Sequence, residues 1–157
     1  VRIGPALVTP CLMNHPVINF GYRIESHGKS VFFTGDHEPP RNPHAAQHPD
    51  HDASQRSVDK QNDYLLQAMS GVDVLIADCS YTAAEYTSKV GWGHGTFDSS
   101  IRYAQRAGVK TLFCTHHEPT RSDDALEQVF AQVLQAHPRQ AGDPIYQLAR
   151  EGLCYEF

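Results

Sequence analysis

The sequence predicts an α/β domain in which a mixed sheet is covered by helices. Three observations predict it: a strand-turn-strand pattern opens the chain, apolar runs of buried-strand length alternate with helical patterns through its middle, and no internal repeat interrupts them. The 157 residues read as one domain, 1–157, long enough for a single hydrophobic core and without a linker that would divide it.

The elements follow in order. Leu7 and Val8 mark a short strand before the loop Met13-Asn14-His15-Pro16. Phe20, Tyr22 and Ile24 alternate with smaller or polar residues, and His27-Gly28 turns the chain into Ser30 to Thr34, an antiparallel hairpin that ends in Gly35-Asp36. From Pro39 to about Asp59 there is no periodicity, and Pro, His, Asp, Asn and Ser dominate, which predicts a long surface loop. Tyr64, Leu65, Ala68 and Met69 share a helical face closed by Gly71. Val72 to Ala77 is a buried strand ending in Asp78.

After a loop containing Trp92 and His94, Thr96 caps a helix with Phe97, Ile101, Ala104 and Ala107 on one face. Gly108 stops it, and the apolar run Val109 to Thr115 forms a strand leading to His116-His117-Glu118-Pro119. Ser122 or Asp123 caps a last helix, with Leu126, Val129, Phe130, Val133 and Leu134 on one side, that ends near Pro138. Ile145 to Ala149 and Leu153 to Phe157 read as a small hairpin turned at Glu151-Gly152.

Composition narrows the function. A formal charge of −5, from 13 Lys+Arg against 18 Asp+Glu, excludes the basic footprint of non-specific nucleic-acid binding, so any phosphate-bearing substrate has to be held locally. Cys11, Cys79, Cys114 and Cys154 form no CxxC pair and read as buried free thiols of a reducing compartment. With neither a signal peptide nor an apolar stretch of spanning length, the expectation is a cytoplasmic protein that does not enter a membrane.

Chemistry gathers at strand ends. His15, Asp36, Asp78 and His116 each follow a predicted strand, and His94 sits between Gly93 and Gly95. Taken singly, His15 and Asp36 are turn residues and His94 a surface imidazole. Shared placement changes the reading, because strands converging at one edge bring such residues together on a rigid support. Two imidazoles and a carboxylate suit a divalent transition metal, and an ionised Asp can bridge two ions as His cannot.

The ordered set NHP (Asn14 to Pro16), GYRIE (Gly21 to Glu25), TGDHEP (Thr34 to Pro39), LIAD (Leu75 to Asp78), YTAAEY (Tyr81 to Tyr86), GWGHGT (Gly91 to Thr96) and THHEP (Thr115 to Pro119) closely resembles the carboxy-terminal half of metallo-β-lactamase-fold hydrolases, on their phosphodiesterase and ribonuclease Z-like side. That resemblance implies half of an αββα sandwich. It also implies two divalent transition-metal ions, zinc first with manganese or iron as alternatives. His15 would be the third histidine of one site, Asp36 the bridging carboxylate and His116 the last histidine of the other. His94 would protonate the leaving oxygen or steady the phosphate, Asp78 would orient it, and His117 would support His116 from outside the ligand set.

The implied activity is hydrolysis of a phosphodiester or related ester, with a metal-bridging hydroxide as nucleophile and His94 as proton donor. A thioester hydrolase or diiron oxidoreductase on the same scaffold is one alternative, and a non-catalytic signalling or ligand-binding module on a degenerate fold is another. The partners implied are a small-molecule or phosphodiester substrate and, as one assembly, a homodimer.

The sequence also departs from the pattern. The family's HxHxDH cluster should lie upstream of His15, and the chain does not contain it. Ala46-Gln47-His48-Pro49-Asp50-His51 imitates its second half, but out of order and after a Pro-rich stretch, so it reads as a solvated loop or lid. Pro43 and Pro49 bracket a segment too short for a helix, so His44 and His48 are not expected to meet as an i, i+4 pair. The chain is therefore expected to be the carboxy-terminal part of a longer enzyme, with an apolar face and an open sheet edge where the missing half belongs.

Overall fold

The computed structural model describes residues 1–157 and builds one seven-stranded sheet whose spatial order is the order along the chain. The first four strands, β1 (Arg2–Ile3), β2 (Ala6–Leu12), β3 (Phe20–Ser26) and β4 (Lys29–Phe33), form an antiparallel meander. The next three, β5 (Val74–Asp78), β6 (Thr111–Thr115) and β7 (Ile145–Leu148), continue from β4 in parallel, each reached through a helical crossover. Those crossovers hold α1 (His51–Met69), α2 (Ala83–Tyr86) with α3 (Phe97–Ala107), and α4 (Asp123–Ala136).

Strand alternation sorts the side chains onto two unlike faces. Cys11, Phe32, Leu75, Leu112 and Tyr146 point toward the helices and join Leu65, Met69, Phe97 and Ile101 in one core of 20 buried residues. Full burial of Phe32, Leu75 and Leu112 is worth roughly 1.5–3 kcal/mol each. The register places Tyr22 beside Phe33, Phe33 beside Ile76 and Ile76 beside Phe113 on the opposite face. Tyr22 and Phe33 there are exposed; the chain's last residues cover only part of this face, with Tyr155 set edge-on to Phe113 at 5.1 Å.

Several expectations need correction. Residues 39–59 are not loop throughout, because α1 begins at His51. Its first turns hold only Ala53 and Val58 as apolar residues and only Leu65 and Met69 are buried, so no apolar stripe marks that start. The short α2 shows no hydrophobic period either and is held by a capping box between Thr82 and Glu85.

The expected closing hairpin does not form. β7 pairs in parallel with β6, and residues 153–157 form no strand. Cys154 is exposed, whereas Cys11, Cys79 and Cys114 are buried as expected. No helix is long and apolar enough to cross a membrane.

Candidate metal centre

Parallel strands end at the same edge of a sheet, and here β4, β5 and β6 deliver Asp36, Asp78 and His116 to one edge. The turn after β2 adds His15, and the loop before α3 adds His94. Ligand atoms of Asp36, Asp78, His94 and His116 all lie within 4.8 Å of one another. The five residues selected from the sequence thus meet in one place.

Asp36 stands between two imidazoles. Its Oδ1 is 3.3 Å from His116 Nδ1 and its Oδ2 3.8 Å from His15 Nε2. His15 Nδ1 is engaged by the Val17 backbone, 2.9 Å from its carbonyl and 3.1 Å from its N, which leaves Nε2 as the ring nitrogen that faces Asp36. His116 reaches its position only because its backbone is left-handed at φ 55, a conformation that costs a non-glycine residue roughly 1–2 kcal/mol. The turn aims His116 at Asp36 and leaves His117 half-buried against the Phe97 ring, at 6.1 Å, outside the cluster.

Asp78 is the fixed point behind the site. Its Oδ1 accepts from the Ser80 N–H at 3.1 Å, and its Oδ2 accepts from the His37 N–H at 3.1 Å and from His94 Nδ1 at 2.8 Å. The Ser80 hydroxyl shares its one proton between Asp78 Oδ1, at 2.7 Å, and the His116 carbonyl, at 2.6 Å. A buried carboxylate so engaged cannot turn, and the His94 ring it holds stacks on His116 at 4.6 Å.

Glu38 was not singled out from the sequence, yet it joins the two loops of the site. Its carboxylate accepts from Gly91 N–H and Gly93 N–H, each at 2.8 Å, and from the Tyr86 hydroxyl. Its backbone N–H donates to the Asn14 carbonyl, and Asn14 Nδ2 donates to the Glu38 carbonyl, each at 2.9 Å. Burial works against its charge, but the two glycine N–H groups and the Tyr86 hydroxyl, helped by Arg41, hold its carboxyl below the usual range. The only sequence signal was its position inside TGDHEP.

Neighbouring His37 is buried, with no partner for either ring nitrogen, and burial pushes its imidazole down to about 4 despite Glu38. It is therefore neutral at pH 7.

The chemistry of the donor set fits divalent transition-metal ions, with imidazole on both sides of one carboxylate and a partly exposed approach. His44, His48 and Asp50 also come within 4.8 Å of one another. No helix forms there, as expected, but the two rings do meet, stacked at 4.1 Å in a turn.

No protein-family model matches the chain. In sequence it is 33% identical over 110 residues to ribonuclease Z of Pseudomonas putida, a match covering 60% of this chain and 33% of that protein. The chain thus spans about a third of the length of that curated relative. In structure it is similar to YhfI from Bacillus subtilis, a metallo-β-lactamase fold protein, with TM-score 0.66 and 21% identity over 98% of this chain and 50% of that one. A diphosphatase of the PhnP family gives TM-score 0.55 and 21% identity over 100% of this chain and 46% of its own. The chain therefore has the metallo-β-lactamase fold and spans about half of each of those two structures.

Proposed function

We propose that the protein is a metal-dependent hydrolase of phosphodiester or related ester bonds. The pairing of His94 with the immobile carboxylate of Asp78, beside the Asp36 cluster, is the observation that carries this reading. Similarity to a ribonuclease Z and to a diphosphatase supports phosphate chemistry over other uses of the fold.

His15, Asp36 and His116 would supply three of the ligands of two ions, zinc by preference, and the remaining ligands would come from outside these 157 residues. Divalent ions bound there would bring the pKa of a water toward neutrality and offset negative charge on phosphate oxygens. The remaining work falls to the chain's own groups. His94 gives its Nδ1–H to Asp78, so Nε2 is the atom left to face substrate and deliver a proton to the departing oxygen. Asp78 fixes the ring plane and tautomer and stabilises the imidazolium. Four free cysteines suit a reducing compartment such as the cytoplasm.

Metal analysis and kinetics of the full-length protein test the reading together. About two ions per chain are expected. His94→Ala should keep them while losing far more rate on substrates with poor leaving groups than on activated aryl esters. Equal loss on both substrate types would refute the proton-donor role.

A further inference from the structure

The chain has a net charge of −5, yet three of its arginines converge on one cavity of about 450 Å³ between α1, α3 and the segment after Glu38. Arg41, Arg102 and Arg106 have no carboxylate within 4.0 Å, as is also true of Arg2, Arg56 and Arg139, and it is their convergence on one cavity that sets them apart. Arg102 and Arg106 are four residues apart on α3 and so present two like charges on one side of the helix, toward the cavity they both line. One carboxylate lines the cavity, that of Asp98, and His137 engages it at 2.7 Å.

The walls are as specific as the charges. Tyr103 donates its hydroxyl to Asn62 Oδ1, which leaves the Asn62 amide protons as further donors at the cavity. Tyr86 is held in the opposite wall by Glu38. A second cavity of about 260 Å³, lined by His15 and Glu38, shares Pro39, Pro40 and Arg41 with the first. Arg41 therefore lines both the arginine cavity and the cavity that reaches His15.

We propose that this cavity is a subsite for a nucleotide flanking the scissile bond of a single-stranded substrate. Arg41, Arg102 and Arg106 take its phosphates, and the Tyr86 and Tyr103 rings border its base. Guanidinium groups bind phosphate through paired N–H donors, and cationic grooves with aromatic rings hold single strands. Such a subsite supplies the local phosphate grip that an acidic protein needs. The proposal rests on the phosphodiester reading above.

The test compares a labelled single-stranded oligoribonucleotide with bis(4-nitrophenyl) phosphate, using the full-length protein. The double variant Arg102→Ala/Arg106→Ala replaces exposed helix residues. It should lower the ratio of kcat/KM for oligonucleotide over small diester by about tenfold or more, mainly through KM. Its log–log salt dependence of oligonucleotide binding should become shallower by about 1.4, two phosphate contacts at about 0.7 each. Arg139→Ala, outside the cavity, should leave both readouts unchanged.

An unchanged ratio, or equal loss on both substrates, overturns the subsite. A nucleoside diphosphate that binds the cavity as tightly as the oligonucleotide overturns the strand assignment. If the wild type cleaves neither substrate, the phosphodiester reading falls. Anisotropy titration of the oligonucleotide then judges the subsite alone, which stands only if the double variant weakens binding.

Discussion

Asp36, Asp78, His94 and His116 form one histidine–carboxylate cluster, and His44, His48 and Asp50 form another whose ligand atoms also lie within 4.8 Å of one another. They differ in what holds them. The first stands on the ends of parallel strands, with a buried carboxylate behind His94 and a backbone turn that aims His116. The second sits in a turn that runs from Pro43 into Asp50, the residue before α1, where His48 Nδ1 accepts from the Asp50 N–H at 3.1 Å, so that lone pair is already used. Proximity of ligand types is common to both, and rigid outside support belongs to one.

The sharpest way to break this contrast is to disable each cluster in turn. Asp36→Ala should remove most bound metal and reduce turnover to background, whereas the triple variant His44→Ala/His48→Ala/Asp50→Ala should change neither. Metal loss in the triple variant would put the two clusters on the same footing. A smaller effect is expected from the support: Asp78→Asn should lower activity or metal affinity about 10–100-fold with circular dichroism unchanged. Glu38→Gln should cost roughly 1.5–3 kcal/mol, read as faster hydrogen exchange at Gly91 and Gly93 than at α4.

Asp73 gives the mildest test, because it immediately precedes the strand that Asp78 ends and serves structure alone. Its carboxylate meets Lys110 Nζ at 2.6 Å and the Ser30 N–H at 2.8 Å, and the Lys110 bond, with Ser30 adding to it, holds its carboxyl below the usual range. A depressed folded pKa contributes stability that is complete above the ordinary carboxylate range and lost as pH falls through the folded value. Asp73→Asn should cost about 1 kcal/mol at pH 7, since Lys110 is largely exposed, and should flatten the acid limb of stability against pH. An acid limb identical to wild type would assign that stability elsewhere.

The strand ends were legible because buried strands announce themselves: Val72 to Ala77 and Val109 to Thr115 are apolar and stop at polar groups. Capping was legible too, and Thr96 accepts from the Ser99 N–H as its position before Phe97 implied. Residues 51–63 were not, since Ala53 and Val58 are too few among polar residues to make a period that can be read. Glu38 escaped because its work is done on Gly91 and Gly93, 53 and 55 residues later. Tyr155 and Phe157 alternate as a strand would, but they lie across a sheet face instead of along its edge.

Gly93 has its backbone at φ +94, and a Cβ there would clash with the His15 and Pro16 rings, 2.6 Å from Pro16 Cδ and closer still to His15 Cδ2. The loop carrying His94 and the turn carrying His15 are therefore geared together, with no slack for a methyl group. Neither can be tuned alone. Any redesign of the GWGHGT segment has to be judged by where it leaves His15, and residue 93 becomes a lever for moving that imidazole without altering it.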